Sequence, residues 1–265
     1  VKNNQPCENK RQALSQIKRI DWTALDFRTK NQKSFYRTIG RNDVTFCVGP
    51  AGCGKTYLAT HYALKNLAQG KYENMVITKP LVEVDGEKIG YLPGDIDEKT
   101  APYMMSLYYN MEQIIGKQRL EVLKQTGVVK VIPLAYMRGL TLTNSIVVLD
   151  EAQNATTSQI KTFLTRIGNG SKFIVNGDLM QSDIKTSNGL DDSVKRFTGV
   201  KRVGFSQFDL EDVVRHPIVG ELLARYKDDY KLGALSAEET LSMWLEKQEY
   251  DEPKATSKYF YKIRN

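Results

Sequence analysis

The sequence predicts an α/β protein with a single core, in which a parallel sheet carries helices on both faces. Three observations predict it. From residue 44 onward, short β-branched runs alternate with helical stretches. Residues Gly49-Pro50-Ala51-Gly52-Cys53-Gly54-Lys55-Thr56 spell a complete G-x-x-x-x-G-K-T loop between an apolar run and a helix. A further apolar run, Asn144 to Leu149, ends in the adjacent carboxylates Asp150 and Glu151.

Up to about Arg41 the chain reads as helical and basic, with Ala13, Ile17 and Ile20 on one face and Lys10, Arg11, Lys18 and Arg19 supplying charge. Residues 1–41 are therefore a segment ahead of the core. The core spans 42–208, with strands expected at 44–48, 74–79, 128–132, 145–150, 172–177 and 200–205. Its longest interruption, 80–103, contains a small hairpin turning at Asp85-Gly86 and a Leu92-Pro93-Gly94 turn. Residues 209–249 form the helical C-terminal part, amphipathic over 209–229 and helical again over 236–248 behind a Ser236 cap with Glu239. The tail, 250–265, is charged and aromatic.

The glycine loop points to a nucleoside triphosphate. Its glycines let the backbone curl until successive N–H groups and the helix N-terminus face the phosphates. Lys55 adds charge beside the β and γ phosphates, and the Thr56 hydroxyl suits Mg²⁺. Gly49, Pro50, Ala51, Gly52, Cys53, Gly54, Lys55, Thr56 and Tyr57, where the helix opens, are the expected nucleotide contacts. Cys53 would sit among the phosphates as a small residue tolerated by the loop.

Successive strand residues face opposite ways, so Asp150 and Glu151 do not duplicate each other. Asp150 is expected on the metal side and Glu151 as the general base toward water. A third strand, Lys172 to Asn176, runs into Gly177-Asp178-Leu179-Met180-Gln181. Ligands of such sheets sit at the carboxyl ends of the strands, which places Gln181 as a sensor of the γ-phosphate.

Composition bounds the remainder. The chain has 265 residues, 41% hydrophobic and 26% charged, with a net charge of +7 that permits a polyanionic partner. No apolar run reaches the roughly 18 to 20 residues of a membrane span, and the polar start lacks a signal-peptide core, so the expected location is cytoplasmic. The three cysteines have neither metal-ligand spacing nor a disulfide framework.

With these motifs in hand, the chain resembles the PhoH-like family of ATPases, related to superfamily 1 helicases. The resemblance covers roughly residues 28–226, through Thr29-Lys30-Asn31-Gln32, the glycine loop, Ile89-Gly90-Tyr91-Leu92-Pro93-Gly94-Asp95, Tyr136-Met137-Arg138-Gly139, Asp150-Glu151-Ala152-Gln153-Asn154, Gly177-Asp178 with Gln181 and Asp183, and Asp212-Val213-Val214-Arg215-His216. It implies a RecA-like sheet in which the strand ending at Asn176 lies between those ending at Val48 and Leu149. It also implies that Gln32 reads adenine, so that ATP is the nucleotide. The family pattern usually has Arg where this chain has Lys79, and a larger residue such as Thr at Cys53.

Superfamily 1 helicases carry a second core that supplies an arginine to the nucleotide, whereas the stretch after Phe205 is about sixty residues, too few for another domain of usual size. An arginine, Arg215 first or Arg138 second, must then come from the chain's own tail or from another subunit. The expectation is a homo-oligomer, a closed ring, acting on single-stranded RNA or DNA, with no membrane partner. Lys79 at a strand end suits nucleic acid, and so do the aromatics interleaved with cations at 258–264, although such a run also suits docking. The alternative is an ATP-gated nucleic-acid-binding or scaffold protein with little turnover. A GTPase is disfavoured because no N-K-x-D occurs.

Overall fold

Six parallel strands form the expected sheet in the computed structural model, which describes residues 5–81, 96–179 and 188–214 together with Ile218 and Arg225. The strands are β1 (Val44–Val48), β2 (Asn74–Thr78), β3 (Val129–Val131), β4 (Ser145–Leu149), β5 (Lys172–Gly177) and β6 (Val203–Gln207), in the order β3-β2-β4-β5-β1-β6. β5 thus lies between β1 and β4, as the resemblance implies, and the architecture is a RecA-like P-loop NTPase core.

The helices are α1 (Gln5–Lys18), α2 (Lys30–Arg41), α3 (Lys55–Ala68), α4 (Ile96–Ile115), α5 (Lys117–Gln125), α6 (Thr157–Leu164) and α7 (Gly189–Phe197). Alternation along the strands sorts the core into two layers. Ile146, Val148 and Ile174 pack with Ile17 of α1, Phe35 of α2, Leu64 of α3, Leu107 of α4 and Leu123 of α5. Val147, Leu149 and Val175 face the other way, onto Ile160 and Phe163 of α6 and Leu190 of α7. β4 and β5 are buried along their whole length, which is why they read as continuous apolar runs.

Two local readings differ from the structure. The segment up to Arg41 is two helices, because residues 19–29 turn away from helical geometry. The Asp21 carboxylate accepts from the Thr23 N–H at 2.9 Å and hydroxyl at 2.6 Å, and the buried Trp22 donates through Nε1 to Ile17 O at 3.0 Å. Thr29 then caps α2 by accepting the Gln32 N–H. β6 begins at Val203 rather than 200, because Arg202 sits in a turn with φ 68° and pairs with Asp43 at 2.6 Å. The C-terminus of α2 is closed by the buried Lys172, which donates to the carbonyls of Ile39 and Asn42.

Chain contacts separate Val1–Gly220 from Glu221–Asn265, a division that falls within 209–249. Of the second unit, only Arg225 is described. The expected hairpin in 80–103, the helix at 236–248 and the tail lie outside the described residues. Among the described residues no helix is long and apolar enough to cross a membrane.

His61 of α3 is enclosed between α2 and the turn at Trp22. Its Nδ1 is 3.0 Å from the Tyr36 hydroxyl, and its ring meets Trp22 edge-on at 5.4 Å. Burial, aided by the charge of Lys65, pushes its pKa down to about 4. The folded protein therefore holds His61 neutral while the unfolded chain protonates it near the ordinary value, so this contribution is whole above about pH 6.5 and is lost as pH falls toward 4. Urea unfolding at pH 7 and pH 5 checks it: wild type should lose more stability than His61→Gln over that interval. Buried carboxylates contribute equally to both proteins and cancel in the comparison. Equal losses would show that His61 does not carry the effect.

Candidate nucleotide-binding site

The phosphate loop leaves β1 at Gly49 and enters α3 at Lys55, and three sets of contacts shape it. The first is steric. A Cβ on Gly49 would lie 2.6 Å from Phe208 Cβ and 2.8 Å from Phe208 O, so only glycine lets the two segments pass. Phe208 is itself buried edge-on against Phe35 of α2. Gly52 and Gly54 have φ of 87° and 88°, the left-handed turn that aims the loop's amides inward.

The second set comes from α2. Gln32 is buried, with Nε2 donating to Cys53 O at 3.0 Å and Oε1 accepting from the Arg28 N–H at 2.9 Å. The residue expected to read adenine is thus also a brace between α2 and the loop. Each amide atom keeps capacity for one further hydrogen bond.

The third set is the segment after β6. Val214 N–H donates to Gly52 O at 3.1 Å. Buried Asp212 accepts from Asn31 Nδ2 at 2.7 Å and from the Asp209 N–H at 2.9 Å. These bonds to Asn31 and Asp209, with one to Thr29, hold its carboxyl below the usual range despite the opposing effect of burial.

Within this frame Lys55 folds onto its own loop, with Nζ 2.6 Å from Gly49 O and 2.8 Å from Pro50 O. The Cys53 side chain does not line the cleft. It is fully buried with its thiol directed to Pro50 O at 3.0 Å, and burial pushes its pKa up. The cleft in front of the loop, about 270 Å³, is lined by Lys55, Thr56, Tyr57, Asp150, Glu151 and Asp178 among others, and Asn110 of α4 closes one side.

Asp150 stands at the end of β4, its N–H bonded to Thr78 O at 2.8 Å and its carboxylate accepting the Thr56 hydroxyl at 2.8 Å. Burial and the neighbouring Glu151 charge raise its pKa to about 6, against Thr56, Lys55 and Lys79. Lys79, which the sequence offers to nucleic acid, therefore acts electrostatically on the nucleotide site. Glu151 is exposed and has φ 53° and ψ 40°, a conformation costly for a residue with a Cβ. The backbone reversal turns its side chain away from the buried course of Asp150. Gln153, to which the sequence motifs assign no role, donates from Nε2 to Glu151 Oε2 at 2.6 Å.

Thr56 and Asp150 are hard oxygen donors brought together across the sheet, and they fit Mg²⁺, which takes few protein ligands beside phosphate oxygens and water. Among the described residues no larger cluster of His, Cys, Asp or Glu could hold a metal.

Gln181 and Arg215 lie outside the described residues. Arg138 is exposed and follows the short turn Leu134–Met137, which comes after β3. That turn packs over β2, β4 and α6, with Leu134 N–H bonded to Lys79 O at 3.1 Å.

The family described as PhoH-like protein matches residues 24–227. The PhoH-like protein of Bacillus subtilis is 42% identical over 205 residues, covering 77% of this chain and 64% of that protein. The PhoH-like protein of Synechocystis sp. is 42% identical over 202 residues, covering 76% and 61%. Protein PhoH of Escherichia coli K12 is 37% identical over 210 residues, covering 78% and 59%. The chain thus spans less than two thirds of the length of these relatives.

Among solved structures, the large terminase of a thermophilic bacteriophage is similar at a TM-score of 0.47 and 12% identity, covering 76% of this chain and 51% of that one. The Pif1 helicase of Candida albicans is similar at 0.40 and 12%, covering 87% and 56%. The fold assignment rests on strand order and on the loop, not on these scores.

The tie through Asp212 has a measurable consequence. Asp212→Ala leaves Asn31 and the Asp209 amide without their acceptor, so urea unfolding should show a loss of about 2 kcal/mol. Fluorescent-ADP titration should show weaker binding as well, since the loop loses a brace. Unchanged stability would mean that the 208–214 segment does not hold the loop.

Proposed function

Because the chain belongs to the PhoH-like protein family, we propose that it is a Mg²⁺-dependent ATPase, a single-core oligomeric motor or switch acting on single-stranded nucleic acid. The observation that carries the reading is the Thr56–Asp150 bond of 2.8 Å, with Glu151 exposed at the next position. It joins the phosphate loop to the end of β4 and sets a base beside the place where the γ-phosphate belongs.

Thr56 and Asp150 would hold Mg²⁺, which supplies charge neutralisation at the phosphates. Lys55 exchanges the carbonyls of Gly49 and Pro50 for phosphate oxygens when ATP enters. The loop amides and the start of α3 bind the remaining negative charge. Glu151 accepts a proton from water as the water oxygen bonds the γ-phosphorus and the β–γ bridging bond breaks, giving ADP and phosphate. Gln181 senses the γ-phosphate. Arg215, or Arg138 as the second candidate, would neutralise charge on the transferred phosphoryl group, from the chain's own tail or from a neighbouring subunit.

The net charge of +7 favours a polyanion. α4 exposes Tyr109 and Met105, 61% and 63% accessible, while its Asn110 lines the nucleotide cleft, so one helix offers stacking surface and touches the ATP site.

Steady-state ATP hydrolysis with and without single-stranded RNA or DNA tests the whole reading. Turnover should require Mg²⁺ and rise with one of the strands. Lys55→Ala should abolish turnover and weaken nucleotide binding, whereas Glu151→Gln should bind ATP and lose roughly 10²-fold or more in rate. Wild-type turnover by Glu151→Gln would remove it as the base, and no turnover under any of these conditions would leave an ATP-gated binding protein. Mixing Arg215→Ala with Glu151→Gln subunits should restore some activity if Arg215 acts across a ring interface. Light scattering showing monomers with turnover intact would exclude that assembly.

A further inference from the structure

We infer that Gln153 is the positioning residue that aims Glu151, and that through the Asp178 N–H it ties the setting of the base to the end of β5. This rests on the reading of Glu151 as the general base.

Gln153 lies in the short 3₁₀ turn Ala152–Asn154 and is 3% exposed. Its amide is held at both ends. Nε2 donates to Glu151 Oε2 at 2.6 Å, and Oε1 accepts from the Asp178 N–H at 3.0 Å. The two partners are of opposite kind, so the amide has one favourable orientation: flipping it would set oxygen against carboxylate and NH₂ against N–H. A buried donor to a carboxylate makes a short, charge-assisted bond, and this one is at the short end of that range.

The backbone of β5 accommodates the amide closely. A Cβ on Gly177 would lie 2.9 Å from Gln153 Oε1 and 2.5 Å from Leu190 Cδ2, so the strand has no side chain where Gln153 crosses it. Gly177 itself has no positive φ to explain the glycine. Close approach of Gln153 and Leu190 does explain it.

Glu151 needs such a partner. Its left-handed backbone turns the carboxylate into the open cleft, where an exposed side chain with three rotatable bonds would otherwise spread over several rotamers. The Gln153 bond selects one. Because the same amide is tied to the Asp178 N–H, a displacement at the end of β5 moves the base.

The test is the near-isosteric Gln153→Glu, which keeps an acceptor for Asp178 but faces Glu151 with a second carboxylate. The expected result is a kcat lower by about 10-fold or more, with ATP affinity by fluorescent-nucleotide competition within about 3-fold of wild type. In a Glu151→Gln background the same substitution should cost nothing further, because the residual rate no longer uses Glu151. Gln153→Met, which keeps the packing and loses both bonds, provides a readout free of catalysis: in protein without nucleotide, exchange of the Asp178 amide should be faster than in wild type. Wild-type turnover by Gln153→Glu beside an impaired Glu151→Gln overturns this inference alone. Equal losses in both backgrounds overturn it too, by showing that Gln153 acts apart from Glu151. Wild-type turnover by Glu151→Gln instead fails the underlying base reading, and unchanged Asp178 exchange in Gln153→Met removes the coupling to the end of β5.

Discussion

A phosphate loop works only if its amides stay turned inward when no phosphate holds them there, and this chain meets that constraint from three directions. Gly49 passes Phe208 at a separation that excludes a Cβ, Gln32 braces Cys53 O from α2, and Val214 ties Gly52 O from the segment after β6. Each hydrogen-bonded tie satisfies polar groups that would otherwise remain unpaired near the core. The loop is therefore preorganised by long-range contacts, and the ordering entropy that ligand binding must overcome is correspondingly smaller.

The same frame distributes charge. Lys55, folded on two carbonyls, keeps its ammonium solvated by the protein itself. Asp150, buried with its carboxyl raised to about 6, sits where only a cation or a proton relieves it, while Glu151 one residue later faces the cleft. Two adjacent carboxylates acquire different surroundings because the chain reverses into a left-handed turn between them. The Gln153 amide then links β4 to β5 at the point where the two strand ends must move together.

Much of this is legible in the sequence. The strands show because β4 and β5 are buried on both faces and therefore continuously apolar, and the loop shows because its glycines are demanded by local geometry. The features that escape a sequence reading depend on side chains meeting across long separations. The Asn31–Asp212 bond joins residues 181 apart, and no periodicity encodes it. The break between α1 and α2 turns on the Asp21 carboxylate and the Trp22 indole, whose bonds compete with a helix that composition alone favours. The motif gives the position of Cys53 but not the direction of its side chain, which is buried against Pro50 O rather than in the cleft. Gln153 does leave a signal, an amide two residues beyond the expected base, but its partner on Asp178 becomes visible only once β5 lies beside β4.

The account stands or falls on ATP binding at this braced loop. Hydrogen exchange of the full chain, with and without Mg²⁺ and a non-hydrolysable ATP analogue, tests that most directly. The account predicts added protection at residues 49–56, accompanied by protection at 29–32 and 212–214, because those segments share the loop's hydrogen bonds. Saturating analogue that leaves 49–56 unprotected, or protects the loop while 29–32 and 212–214 exchange as before, would contradict it.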